Sequence, residues 1–163
     1  MPVLRVYVET SVWSFALAED VPDYRAETLA FLDQCRGGTI EPFVSTLVLE
    51  EIRRSEEPLR TRLTALVQEV KPVLLEFSSI AARLADAFVR EGVVPAKKPE
   101  DAGHVAVAFV AELDVLVSWN FRHIVNFRRS ERFGAVAVLE GYYRPLRIVT
   151  PGSLLYGEGI DSD

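Results

Sequence analysis

Short valine-rich runs recur along this chain, each followed by a stretch of helical periodicity, and that alternation restricts the fold more than any other feature. The run Val3 to Val8, "VLRVYV", alternates poorly between apolar and polar residues. A strand buried on both faces of a parallel sheet has this character. Comparable runs occur at Glu41 to Ser45, in "KPVLLEF", in "DVLVSWN" and at Leu146 to Val149. Helices alternating with such strands predict an α/β fold, a three-layer α/β/α sandwich around a central, mainly parallel sheet. At 163 residues the chain is expected to form a single domain, residues 1–163, with one substantial core.

The helices can be placed by their caps and apolar spacing. Ser11 or Thr10 is expected to cap a short helix running through Ala18. "VPDYRAETLAFLDQCRGG" reads as a helix with Leu29, Phe31 and Leu32 inward, stopped at Gly37 or Gly38. "TLVLEEIRR" has helical spacing, with Leu47 or Val48 and Ile52 inward, and "PLRTRLTALVQEV" starts at a proline. "SSIAARLADAFVREG" is amphipathic with a serine cap and a glycine stop. "PEDAGHVAVAFVAEL" begins at Pro99 and carries Val105, Phe109 and Leu113 on one face. Beyond the fourth strand, "FRHIVNFRRSERFG" stays unassigned, and "AVAVLEGYYRP" reads as helix or loop before the last strand.

Composition narrows the setting. A hydrophobic fraction of 49% is too high for disorder. The single cysteine, Cys35, rules out an intrachain disulfide framework and a thiolate zinc site, reads as a small buried apolar residue, and suits a reducing cytoplasm. No apolar run approaches the roughly 20 residues of a membrane span, and the first residues lack a signal-peptide pattern. A cytoplasmic location with no membrane association is therefore expected. The net charge of -6 argues against a protein that coats nucleic acid generally, yet a nuclease that concentrates carboxylates around metal ions remains compatible with it.

The acids fall at informative places. In an open parallel sheet, ligands bind beyond the carboxyl ends of the strands, near the switch in strand order. Glu9 ends the first strand, Glu50 and Glu51 follow the second, Asp101 lies in the first turn of the helix entering the fourth, and Asn120 ends that fourth strand. These are hard-oxygen ligands of the kind Mg²⁺ and Mn²⁺ prefer. Residues 50 and 51 differ by about 100° around a helix, so only one can face the same cleft as Glu9. Glu51, beside apolar Ile52, is the better choice, leaving Glu50 outward or supporting. Each acid also has an ordinary explanation: Asp101 suits a helix start, and the glutamate pair suits a solvated face. Glu9 fits the ordinary role less well, because glutamate caps helices poorly.

On the segments "VYVETSVWSF", "VSTLVLEEI", "EDAGHVAVAFVAELDVLVSWNFRHI" and "LRIVTP", the sequence resembles the PIN-domain ribonucleases, in particular the VapC-like toxins of bacterial type II toxin-antitoxin systems. The resemblance implies a PIN-like fold with three or four acids around one or two divalent ions, Mg²⁺ or Mn²⁺. Carried over by position, Glu9, Glu51 and Asp101 hold the metal and Asn120 occupies the fourth catalytic position. Two departures stand out: the first position is usually Asp, and the fourth is often Asp rather than a neutral amide. The implied reaction is hydrolysis of RNA phosphodiester bonds, leaving 5′-phosphate and 3′-hydroxyl ends. A small antitoxin protein is the implied partner, and a homodimer is common among similar proteins.

Around these four, Thr10, Glu50, Ser118, Arg122 and His123 are candidates for supporting the ligands or contacting RNA, with Lys97, Lys98, Arg128, Arg129 and Arg132 nearby. Trp119 and Phe121 can pack or stack on bases, core packing being the expectation, and His104 reads as structural. A PIN-like domain acting only as an RNA- or protein-binding module is the alternative that Glu9 and Asn120 keep open. A phosphate-binding α/β domain is disfavoured, because no glycine-rich phosphate loop follows a strand.

Overall fold

A computed structural model describes residues 3–155. Its elements, in chain order, are β1 (Leu4–Val8), α1 (Thr10–Ala16), α2 (Pro22–Arg36), β2 (Ile40–Ser45), α3 (Thr46–Arg53), α4 (Leu59–Val70), β3 (Val73–Leu75), α5 (Ser79–Arg90), α6 (Pro99–Val110), β4 (Val115–Val117), α7 (Phe127–Leu139) and β5 (Arg147–Val149). The five strands form one sheet in the order β3-β2-β1-β4-β5, and every pairing is parallel. Right-handed crossovers place helices on opposite faces according to the direction in which the chain moves along the sheet. The first half moves outward from β1 through β2 to β3, and α1, α2 and α4 pack together. The second half returns to β4 and continues to β5, and α5 packs on α6 and α7. The chain is thus a three-layer α/β/α sandwich.

Burial explains the valine runs. Val6, Tyr7 and Val8 of β1 and Leu116 and Val117 of β4 are fully buried between the two helix layers, whereas Val73 and Leu74 of edge strand β3 are exposed. α6 is buried nearly all round from Ala102 to Phe109, which its small residues permit. At Gly103 an added Cβ would lie 2.6 Å from the Leu47 side chain, so α3 and Phe77 approach the helix closely there. Cys35 is buried, and burial pushes its thiol up to about 12. No helix among the described residues is long and apolar enough to cross a membrane.

Several local expectations need correction. The inward stripe of α2 is Thr28, Phe31, Leu32 and Cys35, at i, i+3, i+4 and i+7, so Leu29 falls beside it and is 37% exposed. The first helix is capped by Glu9 itself, whose Oε2 accepts from the Ser11 amide, and it ends at Ala16, short of Ala18. The segment left unassigned contains the start of α7. Asn126 caps that helix by accepting from the Arg129 amide, and the arginine run that masked it lies in its first turns.

α6 stops at Val110 in a Schellman motif: the Leu113 amide bonds the Ala108 carbonyl and the Glu112 amide bonds the Phe109 carbonyl. Leu113 is buried beyond the helix rather than on its face. The motif puts Glu112 at φ +55°, in the left-handed region that glycine occupies without a Cβ penalty. Glu112→Gly is therefore expected to raise stability by about 0.5–1 kcal/mol, seen as a higher urea midpoint with an unchanged slope. A lower midpoint would contradict this account of the turn.

Candidate functional site

β1 and β4 are neighbours at the point where the strand order reverses, and Val8 pairs with Val117. The residues that follow these two strands therefore meet at the switch point. Glu9 is 5% exposed and Ser118 fully buried. Glu9 Oε1 accepts from the Ser118 hydroxyl at 2.5 Å and the Ser11 hydroxyl at 2.6 Å, and Oε2 accepts from the Ser11 amide at 3.2 Å. All three donors are neutral. A carboxylate offers about four acceptor sites, so Oε2 retains capacity for a cation or water.

Glu51 comes from α3, which begins where β2 ends because Ser45 Oγ accepts from the Leu47 amide. Its side chain is 28% exposed. Oε1 takes a hydrogen bond from Thr10 Oγ1 at 2.5 Å and faces His104 Nε2 at 2.6 Å. His104 is completely buried, and its Nδ1 lies 2.6 Å from the Tyr7 hydroxyl, which lies 2.8 Å from Ser45 Oγ. A continuous polar chain thus crosses the core from Glu51 through His104 and Tyr7 to the cap of α3.

The charge states follow from these contacts. Burial works against charge on His104, but the hydrogen bond to Glu51 and the nearby Glu9, Glu51 and Asp101 carboxylates outweigh it and raise its pKa. Burial would raise Glu51, yet the His104 and Thr10 hydrogen bonds and the charge on His104 lower it overall. Burial holds the Tyr7 phenol well above its usual range, so it stays a neutral hydroxyl. With His104 protonated, both ring nitrogens donate, one to Glu51 and one to Tyr7.

Donor atoms of Glu9, Glu51 and His104 all lie within 4.8 Å of one another. His104 has both nitrogens engaged and, when protonated, offers no lone pair. The two glutamates supply the available oxygens. Asp101, in the first turn of α6, stands outside this group, and its Oδ2 lies 2.9 Å from His123 Nδ1. The His123 amide in turn donates to Asn120 Oδ1 at 2.9 Å, which fixes the amide orientation and leaves the Asn120 NH₂ as donor. The four proposed catalytic residues are therefore arranged as two pairs, Glu9 with Glu51 and Asp101 with Asn120, the second joined by His123.

Thr10 and Ser118 touch the two glutamates directly. Glu50 turns to solvent, where Arg53 and Arg54 pair with it, and Arg122 is exposed. Arg129 and Arg132 bond the carbonyls of Val93 and Glu91 before α6, fastening α7 to that loop. Sequence reasoning passed over Tyr7 and the engagement of His104. A lone tyrosine in a valine strand and a histidine three residues after Asp101 were the only signals.

Ser118 also accepts from the Asn120 amide at 2.9 Å, so it links both strand-end residues. Ser118→Ala removes a hydroxyl from a buried carboxylate and is expected to cost about 1.5–3 kcal/mol, read from chemical denaturation in chelator. A loss under about 0.5 kcal/mol would show that water replaces the hydroxyl and that Glu9 is less enclosed than its burial indicates. Comparison of the sequence with models of known protein families yields no match, and comparison with curated proteins yields none either.

Proposed function

We propose that this chain is a divalent-metal-dependent endoribonuclease of PIN type. The observation that carries the reading is the convergence of Glu9 and Glu51 at the switch point, with Glu9 buried and bonded only to neutral donors. Glu9 has no direct bond to a cation, since the nearby His104 pairs with Glu51, and a buried carboxylate so placed is costly unless a further cation completes its surroundings. Two hard oxygens with spare acceptor capacity fit Mg²⁺ or Mn²⁺, and His104 does not compete for it as a ligand.

Glu9 and Glu51 would hold the ion. Once bound, it supplies polarisation of a phosphodiester oxygen and a lowered pKa for water. The chain's own residues prepare that chemistry. Ser11 and Ser118 fix Glu9 in one rotamer, and Thr10 with the His104 Nε2 proton fixes Glu51. Asp101, held by His123, adds a carboxylate at the amino end of α6 that can accept a proton from the attacking water or hold it by hydrogen bond. The Asn120 NH₂, its amide oriented by the bond from the His123 amide to Oδ1, would donate to a phosphate oxygen. By the resemblance, the enzyme is the VapC-like toxin of a type II pair, acting in the cytoplasm, restrained by a small antitoxin and able to form a homodimer.

The test is cleavage of single-stranded RNA with Mn²⁺, against a chelator control, by the wild type and by Glu9→Gln and Asp101→Asn. Cleavage that requires the ion and fails in the variants supports the reading. Cleavage that survives both substitutions, or wild-type protein that cuts no RNA with Mg²⁺ or Mn²⁺, overturns it.

A further inference from the structure

Four aromatic rings from three segments meet beside the Glu9 site. Trp119, the residue after Ser118, is buried. Its indole N–H donates to the fully buried Thr28 hydroxyl at 2.8 Å, and its amide donates to Ser11 Oγ at 2.8 Å, the same hydroxyl that bonds Glu9. Phe15 of α1 stacks on Trp119 at 5.6 Å between centroids and 11° between planes, and Tyr24 of α2 stacks on it at 4.4 Å and 27°. Phe121 meets both Trp119 and Tyr24 at 6.1 Å. The inner ring is anchored and the outer rings are open: Tyr24 is 40% exposed and Phe121 48%.

Core packing, expected for both Trp119 and Phe121, describes only the first. Aromatic surface left in water forgoes the gain of burial, and here it sits on a rigid base one residue from Ser118 and Asn120. α2 cannot easily move away, because Arg25 Nε donates to the Ala16 carbonyl at 3.0 Å and Thr28 Oγ1 accepts from the Trp119 indole at 2.8 Å. Such preorganised rings stack on unpaired bases of any identity. The net charge of -6 makes this more pointed, since phosphate attraction alone is a weak source of affinity for an acidic protein.

We propose that Tyr24 and Phe121 form a stacking platform for an unpaired base of single-stranded RNA, seating the strand against the Glu9 site. The assignment rests on the nuclease reading for its substrate class. Arg122, exposed beside Phe121, supplies the nearest phosphate contact of that segment. Double-stranded RNA, its bases paired and stacked, has no free face to offer.

The experiment is fluorescence anisotropy in chelator, where no metal-dependent cleavage occurs, with a labelled single-stranded RNA of about ten nucleotides, the same strand in a duplex, and the same strand with abasic riboses. The wild type is expected to bind the single strand at least about tenfold more tightly than either control. Tyr24→Ala and Phe121→Ala should each lose about tenfold, and Phe121→Trp should bind as the wild type. Equal binding of the abasic strand overturns the platform without relying on any variant. Alanine variants that bind like the wild type also overturn it, and leave the rings as a protein-facing surface. The two readings separate cleanly: base-dependent binding by a protein that cuts no RNA keeps the platform and ends the nuclease, whereas cleavage unaffected by either alanine does the reverse.

Discussion

Glu9→Gln is expected to lower RNA cleavage by about 10²–10³-fold, a barrier increase of about 3–4 kcal/mol, while leaving the fold intact. The substitution is nearly isosteric. Gln still offers an oxygen to the hydroxyls of Ser11 and Ser118, both of which can rotate to suit an amide. What it removes is the negative charge and the second oxygen acceptor that a divalent ion requires. Two measurements should therefore part company. In chelator, where neither protein holds a metal, the variant should lose no more than about 2 kcal/mol, the contribution of the bond from the Ser11 amide that caps α1. With Mn²⁺ well above its dissociation constant, the wild type should gain stability by mass action, about 2.7 kcal/mol at a hundredfold excess, and the variant should gain much less. A variant that binds Mn²⁺ and cuts as the wild type does would remove Glu9 from the site.

Much of this placement is legible in the sequence because strand ends and helix phases are local. A valine run ending on Glu9 announces a strand carboxyl terminus, and the parallel topology sends such termini to one edge of the sheet. The choice between Glu50 and Glu51 follows from a single turn of helix, with Ile52 marking the inward side, and the structure turns Glu51 toward Thr10 and His104 and Glu50 toward Arg53. The partners of these acids are another matter. His104 meets Glu51 across 53 positions and Tyr7 across 97, and nothing local distinguishes a histidine engaged in that way from one packed in an apolar helix. Ser118 meets Glu9 across 109 positions, through neighbouring parallel strands whose order the sequence does not state. Tyr24 and Phe121 show the same limit from the other side, since nothing local reveals that the start of α2 meets the segment after β4 and that both rings are left open there.

The buried chain from Glu51 to Ser45 carries the second large effect. His104→Leu fills similar space but leaves the half-buried Glu51 carboxylate without its cationic partner and Tyr7 with Ser45 alone. Breaking a buried pair from one side costs about 3–5 kcal/mol. The partial exposure of Glu51 puts the expected loss near the lower end, about 3 kcal/mol at pH 6 in chelator. The pH dependence has a definite sign. Folding raises the pKa of His104, so its contribution is complete below about pH 6.5 and fades as pH climbs through the raised value. Folding lowers the pKa of Glu51, so its contribution is present above about pH 4.5 and is lost as pH falls through the lowered value. The pair is thus worth most between those two limits. Urea denaturation of wild type and His104→Leu should show a gap that is widest near pH 6 and narrows toward pH 9, with the wild type moving and the variant nearly flat over that upper range. His104→Gln, which keeps a donor for Glu51 but no charge, should fall between them at pH 6. A gap that stays constant from pH 6 to pH 9 would mean that His104 is neutral throughout, and that Glu51 is held by hydrogen bonding alone.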